Sequence, residues 1–193
     1  MKTALWEELV NSDRHDYLGR GDRVDSLDDP RWTAAFLKRW GLEARGTSEA
    51  AMTAALKELR STLQSQADAL AAGRPAPPRS VERLNSTLAG ASLVRRLVPD
   101  PHRPRLKLVP ARRTAAWILS EIAASWAETL SEGELSRIKS CGNRDCRWLY
   151  YDASKNKGRK WCGLGCGNLM KVRRFRKKGR APAHEHGAPK ESV

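Results

Sequence analysis

All four cysteines of this 193-residue chain fall inside the segment CGNRDCRWLYYDASKNKGRKWCGLGC, which runs from Cys141 to Cys166. Four residues separate Cys141 from Cys146, three separate Cys162 from Cys166, and fifteen lie between the pairs. A tetrahedral metal ion needs four soft donors, and two close thiol pairs from separate segments supply them. So short a segment buries little apolar surface of its own, so the metal would supply much of its folding free energy. The spacing also constrains local structure. Residues i and i+4 share one face of a helix, so Cys162 and Cys166 suit the first turn of one. Cys141 and Cys146, with Gly142 and Asn143 between them, suit a knuckle-like turn. RWLYYD reads as a strand beside the site and ASKNKGRK as a turn. The expectation is a knuckle, a hairpin and a helix around one structural Zn2+ held by Cys141, Cys146, Cys162 and Cys166. No His or carboxylate offers an open coordination position nearby, which favours a structural over a catalytic site. Disulfides are the rival arrangement, disfavoured in a reducing compartment. The tight cysteine runs of ferredoxin-type clusters are absent.

Charge points the same segment toward a partner. The chain carries a net +14, and residues 141–180 hold 13 Lys and Arg against two Asp, hence +11 of that excess. Such asymmetry implies a polyanionic partner. No apolar run is long enough to span a bilayer. The start, MKTALWEELVNSDRHDY, lacks the apolar core of a secretory signal, so the expected location is the cytoplasm, with the nucleoid as a site of association.

The chain upstream reads as a helix-rich domain over 1–135. DDPRWTAAFLKRWGL has an Asp cap, Pro30 in the first turn and Gly41 as terminator, with Trp32, Phe36 and Trp40 on one buried stripe. A long helix runs from Thr47 or Ser48 to Gly73, burying Met52, Leu56, Leu59, Leu63 and Leu70. Another surrounds Val81 to Leu88. SLVRRLVP and RLKLVP flank DPHRP as two strands of a hairpin. A further long helix offers Trp117, Leu119, Ile122, Trp126 and Leu130 for burial, and EGELSRIKS reads as a helical stretch entering Cys141. The fold class is therefore α+β: a helix-rich N-terminal domain with a small strand hairpin, then a small four-cysteine zinc-finger module over 136–180. The Pro/Gly/Ala-rich end over 181–193 reads as a disordered tail, with His184 and His186 as spare donors.

The helix after the last cysteine, GNLMKVRRFRKKGR, places Leu169, Val172 and Phe175 at three-residue intervals, which suits packing on the knuckle. Lys171, Arg173, Arg174, Arg176, Lys177 and Lys178 cover the rest. The loop adds Lys155, Lys157, Arg159 and Lys160, with Asn156 as an amide reader. A cationic helix fixed at one end by metal suits a duplex groove, with phosphates neutralised by Lys and Arg.

The run CGNRDCRWLYYDASKNKGRKWC, with CGN and KVRRFR after it, resembles the CGNR zinc finger found at the C-terminus of many bacterial proteins. Those proteins carry an N-terminal domain called ABATE and are described as candidate stress-induced transcription regulators. LVNSDRHDYLGRGDRVDSLDDPRWTAAFLKRWGL is similar to the start of that domain, and ALAAGRPAPPRSVERLNSTLA resembles its middle. The resemblance implies zinc ligands at Cys141, Cys146, Cys162 and Cys166. It places the naming tetrad on Cys166, Gly167, Asn168 and Leu169, with Leu where the family has Arg. Arg173 or Lys171 stands close enough to take over a role of that Arg.

The function expected is that of a zinc-dependent DNA-binding regulator, with the N-terminal domain sensing a small molecule or mediating assembly. A lone module contacts few base pairs, so a homodimer is physically reasonable. The alternatives are an adaptor for an acidic protein and an RNA-binding protein. Trp148, Tyr150 and Tyr151 discriminate: exposed rings would stack on single-stranded bases, whereas buried rings fit the duplex reading. No constellation of acid, base and nucleophile suggests an enzyme. His15 with Asp13 and Asp16 reads as a surface turn.

Overall fold

A computed structural model describes residues 4–44 and 46–179. The tail over 181–193, with His184 and His186, lies outside the described residues. The class is α+β. In chain order the elements are α1 Leu5–Val10, β1 Asp13–His15, β2 Arg23–Asp25, α2 Pro30–Arg39, α3 Glu49–Ala71 and α4 Pro78–Ala89. Then follow β3 Leu93–Val98, β4 Arg105–Pro110, α5 Ala115–Glu132, β5 Ile138–Ser140, β6 Leu149–Tyr151 and α6 Leu164–Gly179. The strands form three separate antiparallel hairpins, β1–β2, β3–β4 and β5–β6.

Local chemistry sets the helix starts. Asp29 accepts from Arg31 N at 2.9 Å with Pro30 in the first turn of α2. Ser48 caps α3 through Ala51 N, and Thr114 caps α5 through Trp117 N, both at 3.3 Å. Gly73 ends α3 at φ +70°, a left-handed conformation that suits glycine.

The core lies where α3 crosses α1, α4 and α5. Leu56, Leu63, Ile122 and Trp126 are wholly buried there, and Trp6 meets Trp126 edge-on with centroids 4.6 Å apart. Gln66, also wholly buried, accepts from Trp126 Nε1 at 2.7 Å and donates to Ser80 O at 2.8 Å, tying three helices together. The expected stripe on α2 is partly realised. Phe36 is buried, whereas Trp32 stacks on it half-buried and Trp40 spends its indole N–H on Glu8.

The expectation of a helix over EGELSRIKS is corrected. Leu135–Arg137 is a single 3₁₀ turn and Ile138–Ser140 is strand. The reason is tertiary. Ile138 pairs with Tyr151 in the β5–β6 hairpin and drops its side chain into the main core, a placement worth roughly 1.5–3 kcal/mol in burial. Leu149 of β6 joins the same cluster. The cysteine-bearing hairpin is thus built on the helical core and shares its apolar centre.

A buried ion pair anchors the first hairpin. Arg60 of α3, 6% exposed, reaches Asp25 through two bonds of 2.6 Å and Ser12 Oγ at 2.8 Å. Its guanidinium holds the Asp25 carboxyl at about 2, against an ordinary 3.8. A depressed carboxyl stabilises the fold fully above its unfolded value, and that contribution fades as pH falls through the folded one. Melting temperature is therefore expected to drop as pH descends from about 4 to about 2. Asp25→Asn, which strands a buried cation, is expected to cost about 3 kcal/mol at neutral pH and to flatten that acid limb in a melting series.

Candidate metal centre and its cationic face

The first cysteine pair sits where β5 breaks into a tight turn. Cys141 N donates to Trp148 O at 2.7 Å and Cys146 N to Asn143 O at 3.0 Å. Gly142 N donates to Lys160 O at 2.9 Å, so the turn is stitched to the segment that delivers Cys162. A side chain at Gly142 would bring its Cβ to 2.8 Å from the Trp161 ring, so this approach needs glycine. Cys166 lies in the first turn of α6 as the spacing implies, but Cys162 lies two residues ahead of the helix, in a bend, and not on its first turn.

The four sulfurs lie within 4.8 Å of one another, with Cys146 to Cys162 at 3.5 Å and Cys162 to Cys166 at 3.7 Å. Zn–S bonds of about 2.3 Å at tetrahedral angles place sulfurs roughly 3.8 Å apart; a disulfide needs about 2.05 Å. Three of the thiols are buried and Cys162 is half-buried, with Trp148 and Trp161 packed around them. The electrostatics agree. A hydrogen bond from Cys162 pulls the Cys146 thiol down to about 5, and the same contact with burial pushes Cys162 up. Burial also pushes Cys166 up, to about 11. Clustered thiols therefore resist successive ionisation, and a divalent cation removes that resistance by compensating the charge. Donor type, number and separation fit one structural zinc.

A layer of polar groups holds the ligands in place. Asn143, 1% exposed, donates to Tyr17 O at 2.7 Å and directs the same amide toward Cys166 Sγ at 3.8 Å. Asp152, wholly buried, accepts from Lys139 Nζ at 2.7 Å, Ser154 Oγ at 2.6 Å and Arg159 N at 3.0 Å. Burial alone would raise its carboxyl, but these donors outweigh it and hold the group well below the usual range. Asn11 of the N-terminal region donates to Leu149 O at 2.7 Å and accepts from Leu149 N at 2.8 Å, imitating a neighbouring strand. Glu7 accepts from Tyr151 N at 2.7 Å.

The candidate cations divide into two groups. Lys155, Lys160, Lys171, Arg174, Arg176 and Lys177 are exposed and have no ion-pair partner among the described residues, and Asn156 is exposed beside them. Three others are engaged within the chain. Arg159 lies over the Tyr150 ring at 4.4 Å and donates to Trp161 O at 2.9 Å and to Cys162 O. Lys157 pairs with Glu134. Arg173 bonds Asp145 and Leu18 O, each at 2.9 Å, and so pins α6 to the β1–β2 loop. The loop comes so close that a Cβ on Gly19 would lie 2.9 Å from Asp145. Asp16 accepts from Leu18 N in the turn of this hairpin, but Asp13 and His15 lie in β1 and not in the expected turn, with Asp13 paired to Arg23 across the ladder.

The packing expected for the α6 apolar residues is corrected. Leu169 is half-buried, but Val172 is 46% and Phe175 79% exposed. The tryptophans already cap the sulfurs, so α6 leaves the body after its first turns and its later residues meet solvent. Of the discriminating rings, Tyr150 is buried and Trp148 and Tyr151 are half-buried. Asn11 and Asp152 are the functional partners that sequence reasoning missed as such. Asp152 had a local signal, an Asp two residues before Ser154 that suits an Asx turn; the role of Asn11 depends on contacts 138 residues away.

A helical domain whose last hairpin carries four convergent thiols defines a class: a zinc-finger protein with its finger anchored in a larger α+β body. The comparisons then specify which. A family model named ABATE and described as "Putative stress-induced transcription regulator" matches residues 3–133, and the CGNR zinc finger model matches 137–179. The chain belongs to the ABATE family and carries a CGNR zinc finger behind that domain. A comparison with curated proteins finds no match. Among the described residues, no helix is long and apolar enough to cross a membrane.

Proposed function

We propose that this protein binds duplex DNA through its zinc-fixed segment and acts as a transcription regulator rather than an enzyme. One observation carries the reading. Both acidic residues of the segment are consumed internally, Asp145 by Arg173 and Asp152 by Lys139, while eight exposed Lys and Arg side chains, Arg144 and Arg147 among them, have no ion-pair partner among the described residues. The surface left to a partner is therefore almost purely cationic. A cleft of about 480 Å³ bordered by Lys160, Asn168 and Lys171 lies between the basic loop and the start of α6. The buried and half-buried aromatic rings make a poor stacking platform, which favours duplex over single-stranded RNA. For the N-terminal domain the proposed role is sensing or assembly. A cavity of about 640 Å³ bordered by Trp6, Trp40, Glu7 and Tyr151 joins the helical body to β6, and suits a small effector.

The test is fluorescence anisotropy of the zinc-loaded chain on labelled random duplex across salt concentrations. Arg174→Gln/Arg176→Gln/Lys177→Gln is expected to weaken binding about 10- to 100-fold near physiological salt and to lower the log–log salt slope by roughly 2 to 3. No binding at low salt sinks the reading. The exposed Val172 and Phe175 among the α6 cations favour one second reading, an adaptor for an acidic protein surface. Binding to polyglutamate but not to duplex would point there.

A further inference from the structure

The β3–β4 hairpin stands apart from the rest of the fold. Its strands pair from Leu93↔Pro110 to Val98↔Arg105, and among the described residues nothing covers either face beyond the half-buried Val98, Val109 and Pro110. Paired residues share a face. One face carries Leu93, Leu97, Leu106 and Leu108, which are 44%, 65%, 66% and 64% exposed, with Arg95 among them opposite Leu108. The other carries Arg96, Arg105 and Lys107 together with Val94, Val98 and Val109. A two-stranded ribbon with both faces in water is marginal by itself. This one also sets Arg96 directly opposite Lys107, a like-charge pair that weakens it further.

Charge identifies the missing occupant. Residues 93–113 hold seven Lys and Arg against one acidic residue, Asp100. That aspartate is taken by Arg105 at 2.9 Å. The side chains of Arg95, Arg96, Arg103 and Lys107 are exposed and have no ion-pair or hydrogen-bond partner among the described residues. A second copy of the chain would bring two such +6 segments together, and repulsion opposes it. A row of phosphates would instead relieve the Arg96–Lys107 conflict.

We infer that the β3–β4 ribbon is a second DNA-contacting element, entering a duplex groove while the zinc-fixed segment holds another stretch of the same duplex. The inference rests on the DNA-binding reading above. The dimensions suit it. Strands of six residues extend about 20 Å, and a major groove about 12 Å wide admits a two-stranded ribbon. The ribbon joins the N-terminal end of α5 and the zinc module follows its C-terminal end, so the two cationic elements flank a helix of 18 residues, about 27 Å long. Two contacts at that separation lie within one turn of duplex, about 34 Å. The leucine face, with Arg95 on it, would then lie against the apolar sugar wall and thymine methyl groups of the major groove.

The experiment uses the zinc-loaded full chain and a labelled random 30-base-pair duplex. Arg96→Gln/Arg103→Gln/Lys107→Gln is compared with the wild type and with the α6 triple variant. The hairpin variant is expected to bind about tenfold or more weaker near physiological salt, with a salt slope reduced by roughly 2 to 3 and an unchanged melting temperature. The protected length in a hydroxyl-radical footprint should shrink on one side only. If the hairpin variant binds like wild type while the α6 variant loses affinity, the ribbon proposal is overturned and the DNA-binding reading stands. If wild type fails to bind, both fall. Sedimentation of Leu97→Ser/Leu106→Ser gives the remaining outcome: loss of a dimer, with DNA affinity intact in the charge variant, assigns the ribbon to a second copy and overturns the proposal.

Discussion

Replacing Cys166 with Ser is expected to abolish stoichiometric zinc and to unfold the C-terminal segment together with part of the core beneath it. Cys166 is 3% exposed, and its sulfur is the one toward which the Asn143 amide is directed. Four-thiolate zinc sites contribute on the order of 10 kcal/mol to the domains they fold, and a lost ligand releases much of that. Here the loss spreads, because Ile138 and Leu149 sit in the same apolar cluster as Leu56 and Trp126. A loss of even about 5 kcal/mol corresponds to a fall of roughly 10–20 °C for a chain of this size. Zinc content per chain by mass spectrometry, with a melting curve of wild type, variant and chelator-treated wild type, checks it. A variant that keeps one zinc and melts with the wild type would falsify the four-cysteine assignment.

The second large effect is expected at Asn11→Leu. The side chain is 5% exposed and supplies both hydrogen bonds that the backbone of Leu149 makes on that edge. Leucine conserves volume but leaves a buried N–H and a buried C=O without partners, at about 1–3 kcal/mol each. The expected loss is therefore about 2–6 kcal/mol, with a faster release of zinc to a chelator, since β6 leads from the knuckle toward Asp152. Asn11→Asp separates the two contributions: it keeps the acceptor for Leu149 N and loses the donor for Leu149 O. A chemical denaturation series and a metal-release time course read both. Stability lost with unchanged release kinetics would mean that the N-terminal domain merely supports the hairpin without controlling the metal.

Much of the candidate site was legible before folding because its chemistry is local. The two cysteine pairs declare four soft donors, and the excess of Lys and Arg declares a cationic segment. The caps at Asp29, Ser48 and Thr114, the stop at Gly73 and the apolar rows of α3 and α5 follow from neighbours within a few residues. Where reading failed, the deciding contact was distant. ELSRIKS has a passable helical composition, yet Ile138 gains more by pairing with Tyr151 and filling the core. Val172 and Phe175 have the right spacing to pack inward, but Trp148 and Trp161 occupy that position first. Arg159, Lys157 and Arg173 look like any other cations of a basic stretch until their partners Tyr150, Glu134 and Asp145 come into place.

The sequence by itself determined the metal, its ligands, the helices of the body and the cationic character of the C-terminal segment. Each of these depends on residue type at short spacing, where covalent geometry limits the outcomes. The tertiary structure alone decided that the finger is rooted in the helical core, that three of its cations are spent on holding it together, and that the β3–β4 ribbon is left bare. Those outcomes depend on which groups meet across more than a hundred residues, and burial and pairing energies choose among them only once the chain has closed on itself.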